Sequence, residues 1–239
     1  MILDFPRQAA RDQYLRCGWA VVRGLFSAQE IETWRGEADR LMAQPALFAD
    51  PDGRNAVVNS RPRSDRIDPV TDLSPTFLKL ANDPRLLRES GALLGGEARL
   101  FKDKFIAKPP GAQGYGVHQD FAYWPDLGIA PEKMGSAAVF LDGATAESGA
   151  VECVPGVHAL LTRPGRIEDP DESSLGDFET VAVEAGDVLF LSGMVPHRSG
   201  ANRSAGFRRA LFFTYAADAD PALYETYHQL KKALPHGLG

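Results

Sequence analysis

Cysteine, histidine, positive charge and long apolar runs are all in short supply in this chain, and each shortage removes a class of function. The 239 residues hold two cysteines, Cys17 and Cys153, far apart and in no C-x-x-C arrangement. That excludes a zinc finger and a disulfide framework, and makes a reducing, cytoplasmic setting the expectation. Acidic residues outnumber basic ones, 32 to 26, for a formal net charge of −6. Nucleic acid and anionic membrane surfaces both need a basic footprint, so neither is an expected partner. No apolar run approaches the ~20 residues of a membrane span. Residues 1–10 lack the basic and apolar stretches of a signal peptide. No G-x-S-x-G elbow is present to carry a serine nucleophile. A small-molecule substrate is left as the natural partner.

What is present is the composition of a globular protein, 44% hydrophobic, long enough for one domain with a full core. The order of signals is helices first, strands after. Ala9–Arg16 reads as a short helix, followed by a strand at Trp19–Val22. A second helix opens at Ser27, which with Glu30 forms a capping box; Ile31, Trp34, Ala38 and Leu41 recur at helical spacing and are expected to face the core. Residues 45–72 read as a long irregular stretch, and long loops in compact domains are often functional. Ser74–Leu94 is helical again, broken at Asp83-Pro84 and closed by Gly95-Gly96. From Ala98 onward, short strands alternate with Gly, Pro and Asp turns. They begin with the alternating "ARLFKDKFIAK" and end with "RRALFFTYAA", and a helix at 222–233 follows. The reading is a mainly β fold, an antiparallel sandwich buttressed by N-terminal helices. Its helical part covers about 1–96, its β core about 97–218 and its C-terminal helix about 221–233, all in a single domain over 1–239.

Two segments carry chemistry. "GYGVHQDFAYWP" contains His118-Gln119-Asp120, a His-x-Asp. On an extended strand, residues i and i+2 share a side, so one imidazole and one carboxylate converge. Two His and one carboxylate around three open positions is an arrangement for oxygen-activating Fe(II), and a third ligand has to come from elsewhere in the chain. Alone, His-x-Asp is a weak motif, more often a surface or core pair with no metal. The second segment, "GDVLFLSGMVPHRSGANRSAGFRRALFFTY", passes through an apolar strand to His197 and then, eleven residues on, to Arg208 among Phe207, Leu211, Phe212 and Phe213. A guanidinium in such a strand needs an anionic partner, and its planar fork suits a carboxylate. Ser199 adds a hydroxyl toward the same anion.

Taken together, "HQD", "ESGAVECVPGVH" (Glu147–His158), Gly186-Asp187 before an apolar strand, and His197-x-Ser199-x-x-Asn202-x-Ser204-x-x-x-Arg208 resemble the phytanoyl-CoA dioxygenase family of Fe(II)/2-oxoglutarate oxygenases. The opening "GWAVVRGLFSAQEIE" is similar as well, and the resemblance covers roughly residues 13–216. It implies a double-stranded β-helix (jelly-roll, cupin-like) core. His118, Asp120 and His197 would hold Fe(II). Arg208, assisted by Ser199, would bind the distal carboxylate of the co-substrate 2-oxoglutarate, and O2 would complete the reaction. Arg209, pointing to the opposite face, ranks second for the carboxylate. Lys102 and Lys104, on one face of the strand before His-x-Asp, are the candidates for the other end of 2-oxoglutarate; Lys108 falls at the strand end. His158 shapes a turn, and His228 and His236 are solvated or packing residues. The presence of Asp120 disfavours halogenation, and hydroxylation of a small molecule is the base expectation, with possible service in secondary metabolism.

Three stretches are candidate pocket walls: Phe121, Tyr123 and Trp124, which core packing explains as readily; Asn55, Asn59, Arg61, Arg63 and Arg66, whose arginines could receive an anion although a solvated loop is the commoner explanation of such a cluster; and Thr162–Asp177, which reads as a lid. Two other readings remain open. One is a non-redox cupin-like isomerase or hydrolase with Zn or Mn, which the placement of Arg208 argues against. The other is a non-catalytic metal-binding module, which the intact set of His118, Asp120, His197 and Arg208 argues against. The sequence is compatible with a monomer or a homodimer.

Overall fold

A computed structural model describes residues 5–44, 47, 66–124, 126–156 and 175–233. Arg63, the neighbouring Asn55, Asn59 and Arg61, His158, His236 and the expected lid from Thr162 to residue 174 lie outside the described residues.

The helical part follows its local signals. α1 (Phe5–Cys17) begins four residues before the expected start. α2 (Ala28–Met42) opens on the Ser27–Glu30 capping box, both halves of which are formed, and buries Ile31, Trp34, Ala38 and Leu41. An apolar stripe of this kind contributes about 1.5–3 kcal/mol per large side chain removed from water. α3 (Pro75–Ala81) and α4 (Pro84–Leu94) are capped by Ser74 and Asp83. Gly95 ends α4 at φ +72°, a left-handed conformation that glycine adopts without a Cβ penalty. α5 (Leu223–Ala233) closes the chain onto the sheet.

The strands are β1 (Trp19–Val22), β2 (Arg66–Ile67), β3 (Ala98–Lys108), β4 (Tyr115–His118), β5 (Met134–Phe140), β6 (Val151–Cys153), β7 (Glu179–Val181), β8 (Val188–Ser192), β9 (His197–Ser199) and β10 (Arg208–Ala217). They form two antiparallel sheets, ordered β1-β8-β5-β10-β3-β2 and β4-β9-β6-β7. This is the mainly β core with helices that the order of elements suggests, in the cupin-like form that the family resemblance implies.

Period-two alternation sorts the large sheet's side chains. Phe105, Ala107, Ala137, Val139, Leu211, Phe213 and Tyr215 face the helices, packing against Ile31, Trp34, Phe77 and Leu86. Ile106, Ala138, Phe140, Ala210 and Phe212 face the small sheet and pack on Val151, Cys153 and Val195. Both faces of the central strands are therefore covered, which is why β5, β8 and β10 read as almost unbroken apolar runs. The turn residue Asp187 is structural: it accepts from Gly24 N (2.8 Å), Glu184 N (2.9 Å) and Arg23 Nη1 (2.6 Å), tying β1 to β8. Among the described residues no helix is long and apolar enough to cross a membrane.

Candidate metal and co-substrate site

The inner face of the large sheet carries polar groups at two places along β3. In register, Arg208 opposes Lys108, Ala210 opposes Ile106, Phe212 opposes Lys104 and Thr214 opposes Lys102. One cationic pair thus stands at one end of the β3–β10 ladder, and two lysines stand toward the other.

His118 and His197 are brought together by strand pairing. β4 and β9 are antiparallel neighbours with His118 opposite His197, and the two rings lie 4.2 Å apart, centroid to centroid. Asp120 joins them by a different route from the one expected. β4 ends at His118, and Asp120 begins a 3-10 turn (Asp120–Tyr123) rather than continuing the strand. Phe121 N donates to Gly193 O (2.9 Å), and the Gln119 side chain donates to Met194 O, so the turn is pinned to the segment just before His197. The result brings ligand atoms of His118, Asp120 and His197 within 4.8 Å of one another.

Each histidine has its ring fixed. Nδ1 of His118 contacts Gly116 O at 2.9 Å, and Nδ1 of His197 contacts Val195 O at 3.0 Å. With Nδ1 donating to a carbonyl, Nε2 keeps its lone pair for a metal. Burial, with His197 alongside, pushes His118 down to about 3, so its ring is neutral at ordinary pH. Burial alone would raise Asp120, but Lys104, His197, His118 and Lys102 outweigh it and hold the carboxyl well below the usual range. Ser136 Oγ donates to Asp120 Oδ2 (3.3 Å) and contacts Thr214 Oγ1 (3.1 Å), which fixes the carboxylate against the sheet.

At the other end, Arg208 is 2% exposed and Lys108 fully buried. Lys108 Nζ donates to Ser199 Oγ (3.0 Å) and to Gly200 O, so ammonium, hydroxyl and guanidinium converge beside the strand that carries His197. The connecting loop is braced by Asn202, fully buried, which donates to Lys108 O (2.9 Å) and Gly206 O (2.8 Å) and accepts from Ser204 N (3.0 Å) and Oγ (2.6 Å). Arg209 points the other way, as expected from alternation. Its Nε and Nη2 clamp the Asp142 carboxylate at 2.8 and 2.9 Å, which removes it from the site.

The remaining candidates divide. Lys102 and Lys104 lie on the inner face of β3, where their charges help to keep Asp120 ionised, and Lys104 Nζ stands 5.0 Å over the Phe212 ring. Tyr123 meets His118 edge-on at 5.7 Å. Trp124 packs on Phe101 (5.2 Å) and Phe121 on Trp124 (5.9 Å), in an apolar cluster with Tyr227. These two are core residues first. Arg66 pairs with Asp68 on the edge strand. His228 packs against Tyr224 and Tyr227. Lys108, read from the sequence as a strand end, closes β3 and lies beside Arg208 and Ser199. It shares its strand parity with Lys102 and Lys104, and Pro109-Pro110 follow it.

A sequence model of the phytanoyl-CoA dioxygenase (PhyH) family matches residues 14–210. Among similar proteins, a methylphosphonate hydroxylase of Gimesia maris is 34% identical over 147 residues, 60% of this chain and 55% of that protein. An ectoine dioxygenase of Bordetella parapertussis is 26% identical over 226 residues, 84% of this chain and 72% of its own length. The alignment thus spans little more than half of the hydroxylase. Among solved structures, EctD from S. alaskensis with 2-oxoglutarate and 5-hydroxyectoine superimposes with a TM-score of 0.75 at 22% identity, covering 94% of this chain and 85% of that one.

Proposed function

The chain belongs to the phytanoyl-CoA dioxygenase family of Fe(II)- and 2-oxoglutarate-dependent oxygenases, and on that premise we propose that it hydroxylates an unactivated C–H bond of a small molecule, with release of succinate and CO2. The observation that carries the reading is the convergence of His118, Asp120 and His197 with both Nδ1 atoms committed to backbone carbonyls. Two imidazoles and one carboxylate suit Fe(II), and a buried guanidinium, ammonium and hydroxyl suit a dicarboxylate. Bound together, Fe(II), 2-oxoglutarate and O2 supply an oxidant able to attack an aliphatic C–H bond.

The protein's own groups do the rest. His118 and His197 present Nε2, and Asp120, kept anionic and oriented by Ser136, completes the ligand set. Arg208, Lys108 and Ser199 receive the distal carboxylate of 2-oxoglutarate. Lys104, whose strongest favourable charge is Asp120, is placed at the metal-side end. Phe140, Ile106 and Phe212 make the apolar floor between these points and exclude water, which strengthens every charge interaction within. Tyr123, edge-on to His118, is the aromatic best placed to meet substrate.

Anaerobic titration with Fe(II) and then 2-oxoglutarate tests the reading. A weak visible charge-transfer band is expected once both are present. Metal uptake with no band would point to a non-redox metalloenzyme. No metal uptake would mean that the three ligands do not act together.

A further inference from the structure

The connection between β8 and β9, residues 193–196, is buried throughout. It supplies none of the three ligands, yet its carbonyls are taken up one after another by the residues around them. Gly193 O accepts from Phe121 N (2.9 Å), the residue after Asp120. Met194 O accepts from the side chain of Gln119, the residue between His118 and Asp120, which is 2% exposed. Val195 O holds Nδ1 of His197 at 3.0 Å. Consecutive peptide units therefore tie the Asp120 turn, the spacer of the His-x-Asp and the third ligand to one short piece of backbone. That piece is itself anchored. Gly193 N donates to Met134 O on β5 (3.2 Å), and Met194 N to Ser192 Oγ (3.2 Å).

Gly193 meets the Asp120 turn a second time, through Trp124. A Cβ at Gly193 would stand 2.7 Å from Cζ3 and 2.9 Å from Cη2 of the indole, well inside the about 3.5–4.0 Å of carbon–carbon contact. The indole has little room to retreat. It is 8% exposed, edge-on to Phe101 (5.2 Å) and to Phe121 (5.9 Å), in a cluster closed by Met134, Leu223 and Tyr227. The backbone of Gly193 is not left-handed, so close approach of the ring is what requires glycine there. Trp124 follows directly on the 3-10 turn that Asp120 begins, and its N–H donates to Phe121 O (3.3 Å). A push on the ring is therefore a push on that turn, whose carboxylate Oδ1 lies 3.8 Å from His118 Nε2.

We propose that Gly193, Trp124 and Gln119 are positioning residues for the metal, acting through Asp120 and its neighbours to fix the carboxylate relative to both histidines. The proposal rests on the oxygenase reading and adds the residues outside the ligand set that fix the ligand spacing.

The test is anaerobic Fe(II) binding to the full, metal-free chain, read by calorimetry well below the Tm recorded for each variant. Gly193→Ala is expected to weaken Fe(II) about tenfold or more and to shift the visible band formed with 2-oxoglutarate. Trp124→Phe withdraws the far edge of the ring and should weaken Fe(II) only a few-fold. The double variant Gly193→Ala/Trp124→Phe should bind Fe(II) about as well as Trp124→Phe alone, because the added Cβ then has space. Lost stability by itself does not produce that rescue. Gln119→Met keeps the side-chain volume, removes the amide donor to Met194 O and should weaken Fe(II) about tenfold or more; it carries the test if Gly193→Ala does not fold. Fe(II) affinity within twofold of the parent in Gln119→Met or in a folded Gly193→Ala, or a double variant no better than Gly193→Ala, would each overturn the proposal. Failure of the parent chain to take up Fe(II) would instead overturn the metal reading beneath it.

Discussion

Replacing Arg208 by methionine, with Arg209→Met as its partner experiment, puts the co-substrate assignment at greatest risk. The two side chains are adjacent in sequence and opposite in direction. Arg208 lies 2% exposed beside Lys108 and Phe140, 5.9 Å from the ring centre of the latter. Arg209 is clamped on Asp142. Losing one partner of a buried, bidentate ion pair costs about 3–5 kcal/mol. Lys108 and Ser199 stay in place to hold part of the carboxylate, so the lower figure applies. About 3 kcal/mol corresponds to roughly 100-fold in the 2-oxoglutarate dissociation constant. Methionine fills similar volume without charge, and the fold should keep Fe(II) affinity within a few-fold. Arg209→Met should leave the 2-oxoglutarate constant alone and lower stability by about 1–3 kcal/mol through loss of the Asp142 clamp. The assay is anaerobic titration of the Fe(II)-loaded protein with 2-oxoglutarate, following the visible band, paired with urea denaturation. A band that forms at the same 2-oxoglutarate concentration in Arg208→Met, or that is lost in Arg209→Met, would refute the assignment.

Other perturbations probe the scaffold. Asn202→Ala removes four hydrogen bonds that brace the loop between β9 and β10. Thermal denaturation should show a loss of about 2–4 kcal/mol, and 2-oxoglutarate affinity should fall because Lys108 loses its backbone support; an unchanged Tm would contradict this. Gly114 lies against the Ser199 carbonyl, and a Cβ there would meet that backbone oxygen. Gly114→Ala should therefore push β4 from β9, cost about 1–3 kcal/mol and weaken Fe(II) binding, read by metal titration. Glu30 is held at about 2 by its hydrogen bonds from Arg85 and Ser27, below its ordinary value near 4.5. Its folded pKa is depressed, so its contribution is present above about pH 4.5 and is lost as pH falls toward 2. Glu30→Gln should be less stable than the parent at neutral pH, and the gap should close across that window in denaturant titrations at stepped pH.

Local structure was legible in the sequence wherever a short-range rule governs it. The Ser27–Glu30 capping box, the Asp83-Pro84 restart, the helix stop at Gly95 and the strand Ala98–Lys108 are each decided by residues within a turn or two of themselves, and all four are present. The opposite facing of Arg208 and Arg209 follows from strand alternation alone. Strand alternation accounts for the meeting of His118 and Asp120 only in part. The strand stops at His118, because beyond it the Phe121 backbone N–H bonds to Gly193 O and the Gln119 side chain to Met194 O, partners more than seventy positions away that no local pattern reveals.

The sequence by itself determined which residue types were available for chemistry, the order of helices and strands, and which strand face each side chain takes, because these depend on composition and on periods of two and 3.6. Only the tertiary structure decided which of those groups meet. The antiparallel pairing of β4 with β9 sets His118 opposite His197. The β3–β10 register sets Lys108 beside Arg208. The packing of α5 on β3 brings Lys231 Nζ within 3.1 Å of the Asp68 carboxylate. Such meetings are fixed by long-range burial and register, where a shift of one residue would turn every one of these side chains to the other face.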